Sequence, residues 1–594
     1  MKTKDWLIIV FSVVAGGALL TTASMRTDSI HQAREDMGLV ANTSLENAPP
    51  SLAFATVAMG AFRGLIVDIL WMRADRLKQE GKFFDAKQLA EWITTLQPRF
   101  AAVWDFHAWN MAYNISVAIP NTQPAERWHW VKNGYELLRD RAIELNPNSI
   151  LLYRSLAWIF QHKIAGVTDD CHRYYKRELA LSMRALLGDN PTNAYFKALE
   201  DQPQTVDAFL ENESIQPLIK ALQEADETFM NESSLVNNYL TLRQNPDRFK
   251  KEAFEVIDLY RETPALEQFD LFAKAWKLRN EWKFDIAFMQ ELNETYGPVA
   301  IDNPDERMPL NWEHPATHAI YWASLGLKKA GRPEQYRVDE KNTDRVVFHS
   351  LQMLYRNGNV VLYDVPGQQP SIYLLPDLRM FKSCDDFWVK IIDKYETLED
   401  GNPKAVKGGH KNFLENAVLL FYQANYRQKA ERIYRRLQTE HLIDPQGMER
   451  REYKVPFITF VRNRLKDELD GISIQDAVEF IIAVMRDGYF LYAVHKDDDA
   501  AGRENMAQEI YNMYQQGMGE DEPDRMGLPP MKWFRYQAFL AFLNDPMYPD
   551  YMKNSLIGRI QVERPDLFES LREQEIEFIE QMEKQEQLQQ QQTP

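Results

Sequence analysis

Apolar residues recur three and four positions apart along most of this chain, and the runs they form stop at turn signals. Phe83, Ala86, Ala90 and Ile93 share one helix face. Tyr153, Leu156, Ala157 and Phe160 make a second such face. Ala417, Leu420, Phe421 and Ala424 make a third, followed by Ala430, Tyr434 and Leu437. Further helical patches cover Leu218–Leu222, Lys250–Trp282, Ile474–Tyr492, Met506–Tyr514 and Trp533–Leu543. The pattern predicts an all-α fold. One stretch breaks the period. Val360-Val361-Leu362-Tyr363 and Ile372-Tyr373-Leu374-Leu375 flank Pro366-Gly367-Gln368-Gln369-Pro370, two β-prone runs about a turn, which predicts a β-hairpin.

Between residues 70 and 197 the helical pattern itself repeats. Leu70-Trp71-Met72-Arg73-Ala74 is followed by Gly81-Lys82-Phe83-Phe84-Asp85-Ala86 and then by Leu96-Gln97-Pro98. Later passes end in Asn146-Pro147 and Asn190-Pro191. Trp104 follows Pro98, and Tyr153 follows Pro147, at the same offset, with Tyr195 and Phe196 close to it after Pro191. Glycine permits the turn, a small Ala86 admits a close neighbour, and proline ends the unit. This arrangement resembles the tetratricopeptide repeat (TPR), a helix-turn-helix unit of about 34 residues. The prolines stand 49 and 44 residues apart, so these units are longer than that repeat; the excess falls near Ser116–Glu126 and Ala165–Asp170. The resemblance implies a superhelical solenoid and leaves the ligand open.

The N-terminus reads differently. Lys2 and Lys4 precede an uncharged run from Trp6 to Ser24, which as a helix would span about 28 Å, close to a bilayer core of about 30 Å. Lysines ahead of the run predict an N-terminus inside and a body outside the cytoplasm, on an inner or plasma membrane. Thr21-Thr22-Ala23 leaves a cleaved signal peptide as the rival reading. The expected organisation is an anchor or signal segment at 1–25, a spacer at 26–50 and TPR-like repeats at 51–200. Linking helices at 201–310 follow, then a helical region with the β-hairpin at 311–400, helical repeats at 401–572 and a Glu/Gln-rich, fraying tail at 573–594. Arg63 and Asp68 interrupt the apolar stretch 51–72, which argues against a second span and for a first repeat helix begun by Leu65, Ile69 and Met72.

Composition narrows the function classes. The formal net charge is −18, so a nucleic-acid backbone is an unfavourable partner. The two cysteines, Cys171 and Cys384, form no CxxC, which excludes zinc ribbons and thioredoxin-like chemistry. Two buried free thiols are expected in preference to a long-range disulfide.

Three groups of residues could carry chemistry. Trp104, His107, Trp109, Asn110, Tyr113 and Asn114 are dense in aromatic and amide groups, and TPR concave surfaces bind peptides with such side chains, so they are the candidate partner-binding set. Trp128 and Trp130 extend that density. His162, Asp169, Asp170 and His172 are metal-ligand types close in sequence, with helix capping by the two aspartates as the competing role. His314 and His318 stand four apart, but the sequence His-Pro-Ala-Thr-His lacks the glutamate of a zinc-protease helix, so capping or packing is expected. Gly408-Gly409-His410 lacks the strand-to-helix context of a phosphate loop. The sequence therefore points to a membrane-anchored, non-catalytic scaffold for protein partners, with no cofactor. The alternatives are an envelope metal-dependent hydrolase and a glycan-binding protein.

Overall fold

A computed structural model describes residues 63–592, apart from 245, 302, 304–305, 331–336, 365, 368, 397–402, 445, 470–473 and 518–527. The expected anchor, spacer and start of the second apolar run lie outside the described residues. Among the described residues no helix is long and apolar enough to cross a membrane. The described fold is mostly helical, with one two-stranded antiparallel sheet. It divides into two compact units. One comprises residues 63–190, 194–289 and 315–350; the other comprises 191–193, 290–314 and 351–592.

The first unit opens with a helical hairpin, α1 (Arg63–Gln79) and α2 (Phe83–Leu96). Gly81 takes φ +74° between them, and the Lys82 N–H returns to the Leu77 carbonyl at 2.8 Å. That bond closes the end of α1 and starts α2 at once, which an L side chain at 81 would oppose. Ala86, Ala90 and Ile93 are fully buried, as their spacing requires. On α1 the three apolar residues that mark the start of the helix are not its covered face. Val67 and Ala74 are buried, while Leu65, Ile69 and Met72 are more than half exposed.

Next come α3 (Ala101–Trp109), α4 (Pro124–Leu137), α5 (Ile150–Trp158) and α6 (His172–Leu187). Helix α3 continues into a π-helical turn at Asn110–Ile115, and α5 into one at Ile159–Ile164. These wide turns stand 49 residues apart, the separation of Pro98 and Pro147. The prolines anchor equivalent aromatic rings. Trp104 Nε1 donates to the Pro98 carbonyl at 2.8 Å, and the Tyr153 hydroxyl to the Pro147 carbonyl at 3.0 Å. Tyr195 departs from the rule and donates to the Leu186 carbonyl.

The segment expected to supply surface links has a core of its own. Phe209, Leu218, Leu222, Tyr239, Phe269 and Phe272 are packed together, so the charged-apolar alternation of 250–282 marks one buried face of each helix. Arg279 caps the helix Asn193–Glu200 by donating to the carbonyls of Leu199, Glu200, Gln202 and Pro203 at 2.8–3.1 Å. The helix Pro315–Lys329 is buried along most of its length. His318 lies in it, its ring stacked 4.9 Å from Phe160, a packing role.

In the second unit the β-hairpin forms where the pattern placed it, Asn359–Tyr363 against Ser371–Leu375, with Val361 opposite Tyr373. Tyr373 and Leu375 enter a core with Ile481, Phe490, Phe534 and Phe542. His314 immediately precedes the helix that Pro315 begins, and is buried. Helix α7 (Phe381–Glu396) precedes two further hairpins, α8 (Pro403–Gln423) with α9 (Arg427–Glu440), and α10 (Ile474–Ala493) with α11 (Asp497–Gly517). Their turns copy the one at Gly81. Asn425 and His495 take φ +65° and +59°, and the next N–H returns to Phe421 or Leu491 at 2.8 and 2.9 Å. Asn and His tolerate this region better than most residues. Five residues after each turn residue stands a buried alanine: Ala86, Ala430 and Ala500. The helix Pro565–Gln592 runs into the Glu/Gln-rich end, where Glu and Gln are strong helix formers and no glycine interrupts them. Both cysteines are buried free thiols.

Candidate functional site

The 49-residue repeat sets matching side chains side by side. Trp109 on α3 corresponds to Trp158 on α5, and Tyr113 in the first π-turn to His162 in the second. Trp109 stacks on Tyr113 with ring centres 4.0 Å apart and 17° between planes. Tyr113 faces His162 at 5.8 Å, with its hydroxyl 3.4 Å from Nδ1. His162 stacks on Trp158 at 5.1 Å and 8°. The result is a four-ring ladder across two helices. Trp109 is 38% exposed and the other three rings are partly exposed. Burial, with the neighbouring Lys163 charge, holds the His162 pKa below its ordinary value, so the ring is neutral at neutral pH. A neutral aromatic face of this kind can stack against proline, aromatic or guanidinium groups.

The other expected binding residues sit beneath the ladder. Trp104 is buried against Pro98. Asn110 is buried and ties α3 to α2 by donating to the Phe83 carbonyl at 2.9 Å, while its own oxygen accepts from Asn114 at 2.9 Å. His107 is 2% exposed, and neither ring nitrogen has a hydrogen-bond partner. So of the six residues named from sequence, Trp109 and Tyr113 supply ladder rings. Trp158 was missed. Only the 49-residue offset, applied from Trp109, signals it.

The four expected metal ligands are not gathered. Among the described residues the group of three such residues whose ligand atoms all lie within 4.8 Å of one another is His410, Glu440 and His441. His162 joins the ladder. Asp169 is buried below it and accepts from Lys163 Nζ at 2.6 Å, Arg127 Nη1 at 3.1 Å, the Tyr175 hydroxyl at 3.2 Å and the Cys171 N–H at 2.8 Å. Burial alone would raise its pKa; the Lys163 and Cys171 hydrogen bonds and the two cations outweigh this and lower it. Asp170 is exposed and accepts from Asn121 at 3.4 Å. His172 Nδ1 accepts from Lys176 Nζ at 2.8 Å. Burial and the Lys176 charge bring the His172 pKa down to about 4, and burial brings that of Lys176 down to about 7. Lys163 Nζ lies 5.3 Å from the Tyr113 ring centre, so the buried ion cluster supports the ladder from below.

Elsewhere in the first unit a cleft of about 420 Å³ is lined by Trp128, Tyr135, Arg139 and Trp282. The Arg139 guanidinium lies 5.5 Å from the rings of both Tyr135 and Trp282, but Asp140 and Glu136 already satisfy it. The ladder is the stronger candidate because its Trp109 ring is exposed and the other three rings are partly so, while the one cation against it, Lys163, approaches Tyr113 from the buried side.

His107 gives a stability prediction. Burial drives its pKa down to about 4. The unfolded chain takes up a proton below about 6.5, the folded chain only below about 4, so stability is full above 6.5 and is lost as pH falls through that window, by about 3 kcal/mol. His107→Leu, which copies Leu156 of the next repeat, should abolish that loss and stabilise the protein at neutral pH by about 1–3 kcal/mol, the cost of an unsatisfied buried polar group. Denaturation at pH 7 and pH 5 measures both; an unchanged acid sensitivity would rule out His107 as its source.

Comparison with protein-family models, with curated proteins and with solved structures finds no match.

Proposed function

We propose that the chain is a membrane-anchored, non-catalytic scaffold with TPR-like superhelical repeats. It binds a protein segment across the Trp109–Tyr113–His162–Trp158 ladder, on the extracytoplasmic face of an inner or plasma membrane, as part of a larger membrane complex. The observation that carries the reading is the ladder itself, built from equivalent positions of two repeats and left partly exposed. Repeats that stack their first helices offer such continuous surfaces to extended segments. The recurring turn with its buried alanine supports the TPR-like reading of all three hairpins. The anchor and its orientation rest on Lys2, Lys4 and the uncharged run 6–24.

A photo-crosslinking residue at Trp158 of the membrane-embedded protein should yield a defined protein adduct. The same residue at Val562, exposed on the helix Asp550–Glu563, should not. Equal labelling at the two positions would remove the ladder from consideration as the binding face. A reporter fused to the C-terminus should be active only in the exported compartment; activity in the cytoplasm would overturn the orientation.

A further inference from the structure

Three helices of the second unit bring two imidazoles and two carboxylates together. Asp385 lies on α7, His410 on α8, Glu440 ends α9, and His441 follows it. Gly409 makes the approach possible: a Cβ there would come within 2.4 Å of the Trp388 ring on α7. His410 is 3% exposed at its side chain, and its Nε2 is 2.8 Å from Asp385 Oδ1. A proton on Nε2, donated to that carboxylate, leaves a lone pair on Nδ1. That Nδ1 faces His441 Nε2 at 3.3 Å. One ligand atom each of His410, His441 and Glu440 lies within 4.8 Å of the others.

We propose that His410 Nδ1, His441 Nε2 and a Glu440 oxygen bind one zinc-class divalent ion, with Asp385 positioning the His410 ring. Metal–nitrogen bonds of about 2.0–2.1 Å in a tetrahedral site place two ligand nitrogens about 3.3–3.4 Å apart, which is the separation found. A carboxylate that fixes the far nitrogen of a ligating histidine sets its tautomer and raises its basicity. Two imidazoles and a carboxylate suit zinc-class ions better than calcium or magnesium. Arg436 holds both carboxylates, and the Lys429 charge also acts on Asp385. Arg436 Nε and Nη2 donate to Glu440 at 2.8 and 3.2 Å, and its Nη1 to Asp385 at 2.5 Å. Glu440 also keeps unused lone pairs, so an ion can join without expelling Arg436. Lys411 and Arg450 lie farther out; Lys411 is paired with Glu415, and Arg450 donates to the His441 carbonyl. Glu440 is exposed, so a fourth coordination position opens to solvent. The site is independent of the scaffold reading and of the ladder.

The test uses full-length protein in detergent, without a histidine tag, titrated with Zn²⁺ and Co²⁺ against a competing chelator. One ion per chain is expected, with the visible absorption of four-coordinate Co²⁺. His441→Ala should weaken binding at least about 100-fold, and Asp385→Asn by about 10–100-fold. His172→Ala should change nothing. Glu440→Gln, at an exposed position, should also weaken binding and guards against misfolding of the histidine variants. Zn²⁺ should raise the melting temperature of the wild type and not of His441→Ala. No saturable binding, or binding by His441→Ala equal to wild type, would mean that the 3.3 Å contact is only a hydrogen bond between two rings.

Discussion

Replacing Asp169 by alanine should cost about 3–5 kcal/mol, because removing one partner leaves buried charge uncompensated. The side chain is 3% exposed, and those of Lys163 and Arg127 are 4% and 9% exposed. Arg127 retains one other acceptor, the Ile119 carbonyl at 2.7 Å, and Lys163 loses its ion pair. Lys163→Met should be milder, since Asp169 keeps Arg127, Tyr175 and the Cys171 N–H. Adding Lys163→Met to Asp169→Ala should recover part of the loss, because the stranded ammonium is then gone. Chemical denaturation of the four proteins measures the cycle. The sign with pH follows from the lowered Asp169 pKa. Its stabilisation is full above the ordinary carboxylate range and is lost as pH falls through the folded-state value, and Asp169→Ala should lack that acid-range slope. A loss below about 1 kcal/mol would show that the cluster is solvated and does not support the ladder.

Ala86→Leu should be the next most damaging change. Ala86 is fully buried at the start of α2. Three added carbons in a packed interface cost about 1–3 kcal/mol, occasionally more. Ala86→Gly should cost about 1 kcal/mol through helix propensity. On an exposed face the order would reverse, because leucine is a good helix former. Lys87→Ala should be nearly neutral, since it removes one half-exposed pair with Glu91. Leucine at 430 or 500 should behave as at 86, because each follows the same turn. If leucine at 86 were as stable as alanine while glycine was worse, the shared role of the three alanines would fail.

Much of this was legible in sequence because it is local. Gly81, Ala86 and Pro98 announce a turn, a tight contact and a stop, and two β-prone runs about Pro366-Gly367 announce the hairpin at 359–375. The covered face of α1 was not legible because apolar character alone does not say which side is covered: Leu65, Ile69 and Met72 are apolar and exposed, whereas Val67 and Ala74 are buried. The core of 206–273 was hidden because each of its helices carries a charged outer face. At the ladder, Trp109 and Tyr113 could be named, but His162 looked like a ligand until the 49-residue offset paired it with Tyr113. Asp169 could cap a helix or bind a metal by its type alone; only the fold supplies Arg127, 42 residues away, as its partner. The His410–His441 contact joins residues 31 apart on two helices, and no periodicity points to it.

The central claim is that the ladder binds a protein segment. Its most direct test is the affinity of the crosslinked partner, once identified and purified, for wild-type protein and for the double variant Trp109→Ala/Trp158→Ala. Both rings are at least partly exposed, so the variant should fold with nearly unchanged stability. Interface tryptophans often contribute 2 kcal/mol or more, so Kd should rise by about 30-fold or more. A variant that folds as the wild type does and binds with the same Kd would contradict the account.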